Sequence, residues 1–309
     1  MHALSFRHLS KTFPGVLALS DVSFDANGGS VHAILGENGA GKSTLLKILS
    51  GVHRPSQGEI VLDGRACDFR STADALNAGI AVIYQELQLV AELSVAENLY
   101  LGHLPIRAGC VRRHKLWENA RAQLASLGEN IDPRTRVAAL PIAQRQMIEI
   151  AKALTRNARV IAFDEPTSSL SNREVDRLFA VIRQLRDAGR VILYVSHRME
   201  EIYRVCDAAT VLRDGRHVQT FADLKLTTAD ELVNRMVGRS IVDVFGYKPR
   251  KTGDEVLSVQ NIQGPGLSAP ATFNIRRGEI LGIFGLVGAG RTELLRLIYG
   301  ASRTTAGEI

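Results

Sequence analysis

A glycine-rich segment of eight residues, Gly36 to Ser43, constrains the fold more than any other part of the sequence. Its sequence is G-E-N-G-A-G-K-S, and it lies between the apolar run Val31–Leu35 and the helical pattern of Thr44–Leu49. A strand, a glycine loop and a helix in this order predict a phosphate-binding loop, because glycines let backbone N–H groups turn inward toward an anion. We therefore predict an α/β fold built around this loop.

The residues of this loop have predicted roles in binding a nucleotide. Lys42 is expected to reach the β- and γ-phosphates, and the Ser43 hydroxyl is expected to bind Mg²⁺. The positive end of the following helix adds to the attraction for phosphate. The predicted nucleotide contacts within and just after the loop are Gly36, Glu37, Asn38, Gly39, Ala40, Gly41, Lys42, Ser43 and Thr44.

Two acidic residues follow a second apolar run. Asp164 and Glu165 come directly after Val160–Phe163, which places both carboxylates at the carboxyl end of a buried strand. Asp164 is predicted to hold Mg²⁺ through water, and Glu165 to polarise a water for attack on the γ-phosphate. A strand-end turn or helix cap is the alternative interpretation of these residues.

His197 closely follows a third apolar run, Val191–Val195. This placement predicts a histidine at the tip of a third parallel strand, facing the same crevice as the two carboxylates. The eight histidines include no pair with the spacing of metal ligands, so we predict no zinc site.

Strand patterns outline the rest of the domain. Leu4–Arg7 and Val22–Phe24 alternate as strands do, and Asp63–Gly64 between two short apolar runs predicts a hairpin. These segments predict further strands and one hairpin in addition to the buried parallel strands.

Helical patterns fill two other regions. Ser171 and Glu174 form a capping box ahead of a helix whose apolar face ends before Gly189. Residues 90–155 are mostly helical by pattern and interrupt the alternation of strands and helices, so we predict an inserted helical subdomain there.

The glycine loop has a second copy 249 positions further along the chain. Gly285–Thr292 has the sequence G-L-V-G-A-G-R-T, and the same offset aligns Gly58–Ile60 with Gly307–Ile309. We predict one whole unit at residues 1–240, a polar linker at 241–254 and the start of a second unit at 255–309. Since the repeat stops in mid-domain, we expect a longer protein of roughly 500 residues.

The second loop departs from the first at its lysine. Arg291 occupies the position that Lys42 holds in the first loop, and arginine keeps the charge but is bulkier and forked. We therefore predict a degenerate phosphate site. Ile280–Leu286, just before it, is predicted to be a buried strand. The candidate residues of the second loop are Gly285, Gly288, Gly290, Arg291 and Thr292.

Composition excludes several other classes of protein. The 309 residues are 45% hydrophobic and 23% charged, which is typical of a globular chain rather than a disordered one. No apolar run approaches the roughly 18 residues that span a bilayer, and the N-terminus lacks a signal-peptide pattern. Three separated cysteines favour a reducing cytosol. The net charge of +6 is scattered, so we predict no nucleic-acid partner.

Together these motifs resemble the nucleotide-binding subunits of ABC transporters, and the resemblance covers the whole chain. It implies a P-loop NTPase fold with a RecA-like parallel-sheet core, an antiparallel β subdomain and a helical subdomain, with ATP and Mg²⁺ as ligands. It also implies that Phe13 stacks on adenine and that His197 bonds to the γ-phosphate. Gln85 would contact Mg²⁺ together with Ser43 and Asp164, and would sense the γ-phosphate.

The signature loop departs from the family pattern Leu-Ser-Gly-Gly-Gln. Pro141 in this loop has neither a hydroxyl nor an N–H to donate. Since the family binds each ATP between one cassette and the signature of the other, this loop would face the degenerate loop. The resemblance thus implies one hydrolytic site and one structural or regulatory site. The signature residues are Leu140, Pro141, Ile142, Ala143 and Gln144.

Two cassettes in one chain are similar to the ATPases of bacterial monosaccharide importers. The stretches that most resemble the L-arabinose group are Lys11–Val16, Ala162–Ser171 and Gly189–Ile202, while ribose, xylose and galactose importers share nearly all the motifs. The resemblance implies membrane permease subunits and, through them, a periplasmic sugar-binding protein as partners. It also implies no direct contact with sugar, and peripheral association with the cytoplasmic face of the inner membrane. A soluble twin-cassette ATPase acting on ribosomes or DNA, and a non-hydrolysing ATP switch, are the alternatives.

Overall fold

The computed structural model describes residues 3–168, 170–238, 251–285 and 288–309. Internal contacts divide the chain into two units, Met1–Val244 and Phe245–Ile309. Most of the linker predicted at 241–254 lies outside the described residues. Within the described stretches, no helix is long and apolar enough to cross a bilayer.

A six-stranded sheet forms the centre of the first unit. Its strands are β3 (Ser30–Leu35), β6 (Ile80–Ile83), β9 (Val160–Asp164), β10 (Val191–Val195), β11 (Ala208–Arg213) and β12 (Arg216–Phe221). Their order is β12-β11-β3-β10-β9-β6, and only the edge strand β12 pairs in the antiparallel sense. The inner strands are buried on both faces, which explains their continuous apolar sequences. The prediction of three buried parallel strands is confirmed.

Strand β3 finds both of its partners late in the chain. Val31 lies opposite Ile192 of β10, and His32 lies opposite Ala208 of β11. The carboxyl ends of β3, β9 and β10 therefore meet at one edge of the sheet, as predicted.

An antiparallel sheet covers one side of this core. Its strands are β1 (Ala3–Phe13), β2 (Val16–Asn27), β4 (Gln57–Leu62) and β5 (Arg65–Cys67), in the order β2-β1-β4-β5. Phe6 stacks on Phe24 at 4.6 Å between ring centroids, within a core shared with the parallel sheet. The hairpin predicted at Asp63–Gly64 joins β4 to β5, and both of its residues have positive φ.

Helices of the first unit pack against its strands and against one another. They are α1 (Lys42–Leu49), α2 (Thr72–Asn77), α3 (Val95–Leu99), α4 (Arg113–Ala125), α5 (Ile142–Thr155), α6 (Asn172–Asp187), α7 (Met199–Val205) and α8 (Ala229–Val237). The capping box predicted for α6 is present, with the backbone N–H of Ser171 donating to Glu174 Oε2 at 2.7 Å.

The helical region also contains a small hairpin that the sequence did not predict. Its strands are β7 (Ile106–Arg107) and β8 (Cys110–Val111). The intervening Ala108 and Gly109 both have positive φ, but an Ala-Gly pair is a weaker turn signal than Asn-Gly or Asp-Gly.

The second unit contains another antiparallel sheet and one helix. The strands are β13 (Glu255–Gln263), β14 (Ala271–Arg276) and β15 (Ala306–Glu308), in the order β14-β13-β15, and the helix is α9 (Arg291–Tyr299). The order matches β2-β1-β4 of the first unit. The backbone N–H of Asn261 donates to Thr272 Oγ1 at 2.9 Å, as the N–H of His8 donates to Ser23 Oγ at 2.8 Å.

The buried strand predicted at Ile280–Leu286 is wrong over its described part. Residues 280–285 form no strand, and Ile280 and Phe284 are 81% and 92% exposed. The physical reason is the lack of partners. β3 is a strand because β10 and β11 flank it, and the described part of the second unit supplies no such neighbours. Leu286 lies outside the described residues.

Candidate functional site

The glycine loop leaves the carboxyl end of β3 and enters α1. A Cβ at Gly36 would lie 2.3 Å from the backbone oxygen of Leu212, so no side chain fits there. Gly41 caps α1 with φ of 99°, and a Cβ there would lie 2.8 Å from the oxygen of Ala18. These two glycines let the loop lie directly on neighbouring backbone.

Lys42 is buried beneath its own loop. Its Nζ donates to the backbone oxygens of Gly36 at 2.7 Å and Glu37 at 3.0 Å. Burial lowers the pKa of Lys42, and the carboxylates of Glu165 and Asp164 oppose that shift. An anion at the loop would offer this ammonium a stronger acceptor than the two carbonyls.

Asp164 and Glu165 follow one another at the end of β9. Glu165 has a left-handed backbone with φ of 47°, and its N–H donates to the oxygen of Val195 at 2.9 Å. Its Oε1 lies 3.1 Å from Nδ1 of His197, whose side chain is 66% exposed against 22% for Glu165. The carboxylate and the imidazole thus form a pair that opens to solvent.

A single cleft of about 1330 Å³ in the first unit brings the predicted residues together. The predicted residues that line it are Gly36, Glu37, Asn38, Gly39, Gly41, Lys42, Ser43, Thr44, Gln85, Asp164, Glu165 and His197. Ala40 is buried within the loop. The cleft exceeds the roughly 300–1,000 Å³ typical of small-molecule sites, so a nucleoside triphosphate fits within it.

The cleft suits Mg²⁺ held together with phosphate. Ser43, Gln85 and Asp164 offer a hydroxyl, an amide and a carboxylate oxygen, which are the hard donors that Mg²⁺ prefers. The described ranges contain no group of three or more His, Cys, Asp or Glu side chains able to hold a metal. With one carboxylate among its three donors, this set fits a cation whose remaining coordination positions phosphate oxygens and water would fill.

Phe13 is not among the residues that line the cleft. It ends β1, with its ring edge-on to His53 at 5.2 Å between centroids and Lys11 Nζ 5.0 Å from its centroid. Its predicted adenine contact stays a prediction.

The signature residues also lie outside the cleft. Pro141 caps α5, and Arg145 Nε donates to the backbone oxygen of Leu140 at 2.8 Å. Pro141, Ala143 and Gln144 border a separate cavity of about 170 Å³. This loop is therefore free of the nucleotide cleft of its own unit.

Sequence reasoning missed several residues that line the cleft. Val16 and Leu17 are exposed apolar side chains at its wall, and Asp214 and Gly215 form the turn between β11 and β12. The Asp-Gly pair was a readable hairpin signal, like the one at Asp63–Gly64. No sequence pattern marked Val16 and Leu17 as residues of a binding site, apart from their position just after Phe13.

The second glycine loop has a similar backbone where it is described. A Cβ at Gly285 would lie 2.8 Å from Ala289 Cβ. In the first loop, a Cβ at Gly36 would lie at the same distance from Ala40 Cβ. Gly290 caps α9 with φ of 83°. Arg291 is exposed, whereas Lys42 is buried. Leu286 and Val287 lie outside the described residues.

Asp164 predicts a pH dependence of stability. Burial raises the pKa of Asp164 and the Glu165 carboxylate raises it further, against Lys42 and Lys47. The folded state thus holds this proton more tightly than the unfolded chain. The ligand-free protein therefore loses stability as pH rises from the ordinary value of 3.8 through the raised pKa. Asp164→Asn should raise Tm at neutral pH without Mg²⁺ or nucleotide, with a gain that shrinks toward pH 4. Thermal melts across pH check this, and a lower Tm at neutral pH would contradict it.

The parallel sheet, the glycine loop and the paired carboxylates define a nucleotide-binding cassette. A family model described as ABC transporter matches residues 19–168 and 269–309, and the chain belongs to that family.

Relatives with recorded roles narrow the comparison. The chain is 60% identical over 306 residues to the arabinose import ATP-binding protein AraG of Vibrio parahaemolyticus, covering 99% of this chain and 60% of that protein. It is 57% identical over 307 residues to the protein of the same name from Pseudomonas fluorescens, with 99% and 60% covered. The chain thus spans about 60% of the length of these curated relatives.

Solved structures share the fold. A nucleotide-free ATP-binding cassette from an ABC transporter superposes with a TM-score of 0.66 at 23% identity, covering 81% of this chain and all of that one, at 100%. The ADP conformation of the cassette MJ1267 superposes with a TM-score of 0.65 at 24% identity, covering 80% and 100%. At these identities the likeness concerns the fold alone.

Proposed function

We propose that this chain belongs to the ATP-hydrolysing subunit that energises import of L-arabinose through an ABC transporter. The carrying observation is the cleft, where Lys42, Asp164, Glu165 and His197 surround a space for nucleotide phosphates. Relatives at 57–60% identity are named for arabinose import, which supports this sugar. Import of ribose, xylose or galactose is the alternative within the same chemistry.

Each cleft residue has a proposed task in hydrolysis. Lys42 neutralises charge on the β- and γ-phosphates, and the loop amides hold their oxygens. Ser43, Gln85 and Asp164 would hold Mg²⁺, which supplies electrostatic stabilisation of the phosphates when bound. Glu165 accepts a proton from the attacking water, and His197, 3.1 Å from it, donates to the γ-phosphate.

Adenine is proposed to lie along the β1–β2 hairpin. Val16 and Leu17 provide an apolar wall there. They are the first two residues of β2, directly after the turn that follows Phe13. Phe13 remains the proposed aromatic contact of this wall.

We further propose that residues 255–309 begin a second cassette with a degenerate site. Three observations support this repeat. The order of strands is the same in the two antiparallel sheets, and the N–H of Asn261 makes the same kind of hydrogen bond as the N–H of His8. The family model also matches a second time, at residues 269–309. Arg291 in place of lysine would weaken phosphate binding at the second loop, and Pro141 leaves the signature of the first unit without a hydroxyl and an N–H at that position. Hydrolysis would then fall to the site that contains Lys42 and Glu165.

The proposed partners are membrane permease subunits and, through them, a periplasmic sugar-binding protein. The subunit would lie peripherally on the cytoplasmic face of the bacterial inner membrane, without contact to the sugar or to nucleic acid. The names of the relatives support an import complex. The residues of the cleft support phosphate chemistry, and sugar recognition would belong to the partners.

Uptake of labelled sugars tests this function. We expect Glu165→Gln in the full-length gene to abolish L-arabinose uptake by the source cells, with ribose, xylose and galactose uptake unchanged. Glu200→Gln, an exposed carboxylate on α7, serves as the matched control and should leave uptake normal. If uptake of a different sugar were lost instead, that sugar would be the substrate. If uptake of all four sugars stayed normal, the result would favour an ATPase that acts outside transport.

A further inference from the structure

Four hydrogen bonds converge on the buried carboxylate of Glu201, a residue that does not line the nucleotide cleft. Its side chain is only 6% exposed. Oε1 accepts from Thr167 Oγ1 at 2.7 Å and Arg198 Nη1 at 2.9 Å, and Oε2 accepts from Tyr194 Oη at 2.9 Å and Ser196 Oγ at 3.0 Å. Both oxygens are thus fully engaged, each by two donors.

These donors keep Glu201 ionised in spite of its burial. Burial alone would raise the pKa of Glu201, but hydrogen bonds from Arg198 and from the three hydroxyls lower it. An ionised carboxylate accepts from all four donors at once, whereas a protonated one would have to donate at one position. Charge-assisted hydrogen bonds of this kind are also the stronger ones.

Two of the donors belong to the loops that carry the proposed catalytic pair. Thr167 lies two residues after Glu165, and Ser196 comes directly before His197. Both hydroxyl-bearing residues are buried. Glu201 therefore connects the loop after β9 to the loop after β10, at the point where Glu165 and His197 meet.

The backbone of Glu165 requires such support. Its φ of 47° lies in the left-handed region, which is costly for a residue other than glycine and persists only where surrounding contacts hold it. On one side its N–H donates to Val195 of β10. On the other, Gln146 of α5 donates to the backbone oxygen of Pro166, and Thr167 is fixed by Glu201.

We propose that Glu201 is a positioning residue for ATP hydrolysis. By accepting from Thr167 and Ser196, it fixes the distance between the Glu165 carboxylate and the His197 ring. This inference rests on the proposed function, because Glu165 and His197 have these roles only in hydrolysis. Glu201 itself is not among the residues that line the cleft.

Three single variants of the full-length protein test the proposal. Each removes one hydroxyl group that donates a hydrogen bond to the Glu201 carboxylate. Thr167→Val and Ser196→Ala release the two loops, whereas Tyr194→Phe removes a hydrogen bond that comes from strand β10. We expect the two loop variants to lower kcat for ATP by roughly 10-fold to 100-fold, with KM for ATP within about twofold of wild type. Tyr194→Phe is the matched control and should keep a kcat near wild type, although its Tm should fall as far as the Tm of the two loop variants.

The comparison of kcat with Tm separates positioning from stability. If Glu201 only stabilises the fold, kcat will follow Tm equally in all three variants, and that result would overturn the proposal. The double variant Thr167→Val with Ser196→Ala should lose less than the product of the single losses, because both act on one geometry. An inactive wild-type protein would instead contradict the proposed function.

Discussion

Replacing Glu165 by Gln is expected to lower ATP turnover by roughly 10²–10⁴-fold while ATP binding stays near normal. Glutamine keeps the size of the side chain and its place beside His197, 3.1 Å away in the native pair. It cannot accept the proton of an attacking water, so the loss should fall on kcat alone. Steady-state hydrolysis and a nucleotide titration measure the two quantities separately.

Asp214→Asn provides the control for this experiment. Asp214 also lines the cleft and also loses one negative charge, but it has no proposed role in hydrolysis. Its kcat should stay within about twofold of wild type, since exposed charges have weak effects. Turnover by Glu165→Gln close to wild type would remove the assignment of Glu165 as general base.

Replacing Lys42 by Ala is expected to weaken ATP binding at least tenfold. The ammonium now donates to Gly36 and Glu37, and in the complex it would donate to phosphate oxygens. A hydrogen bond to a charged group contributes about 1.5–3 kcal/mol, which corresponds to a factor of about 10 or more in Kd. Isothermal titration with ATP, ADP and AMP measures the effect, which should be large for ATP and small for AMP.

Lys47→Ala is the matched control for Lys42. Lys47 lies further along α1, is exposed, and carries the same charge within electrostatic range of Asp164. Its ATP affinity should change by less than about threefold. If Lys42→Ala weakened the binding of AMP as much as the binding of ATP, the lysine would be supporting the loop rather than contacting the terminal phosphates.

Local features of the site could be predicted from sequence because each depends on a short stretch of chain. The order of strand, glycine loop and helix around Lys42 is encoded within twenty residues or so. The apolar runs that precede Asp164 and His197 indicate buried strands for the same reason. Parallel pairing then brings Asp164 opposite Val195, which places the acids beside the histidine.

The contacts between distant segments could not be predicted in this way. Glu201 appears in the sequence as one of two acids in the first turn of a short helix, a pattern that normally favours the helix dipole. Its partner Thr167 lies 34 residues earlier in the sequence and comes within reach only through the pairing of β9 with β10. The strand predicted at Ile280–Leu286 is wrong over residues 280–285 for a related reason, because an apolar run becomes a strand only where neighbouring strands supply hydrogen bonds.

The pairing of β3 has a consequence for synthesis on the ribosome. β3 is translated long before β10 and β11, the strands that flank it. At about 5–20 residues per second, the segment that feeds the glycine loop waits on the order of ten seconds for its neighbours. During that interval this apolar segment lacks the two strands that pair with it in the folded sheet. The nucleotide cleft also needs residues of β9 and of the loop after β10, so it is complete only after those segments have been synthesised.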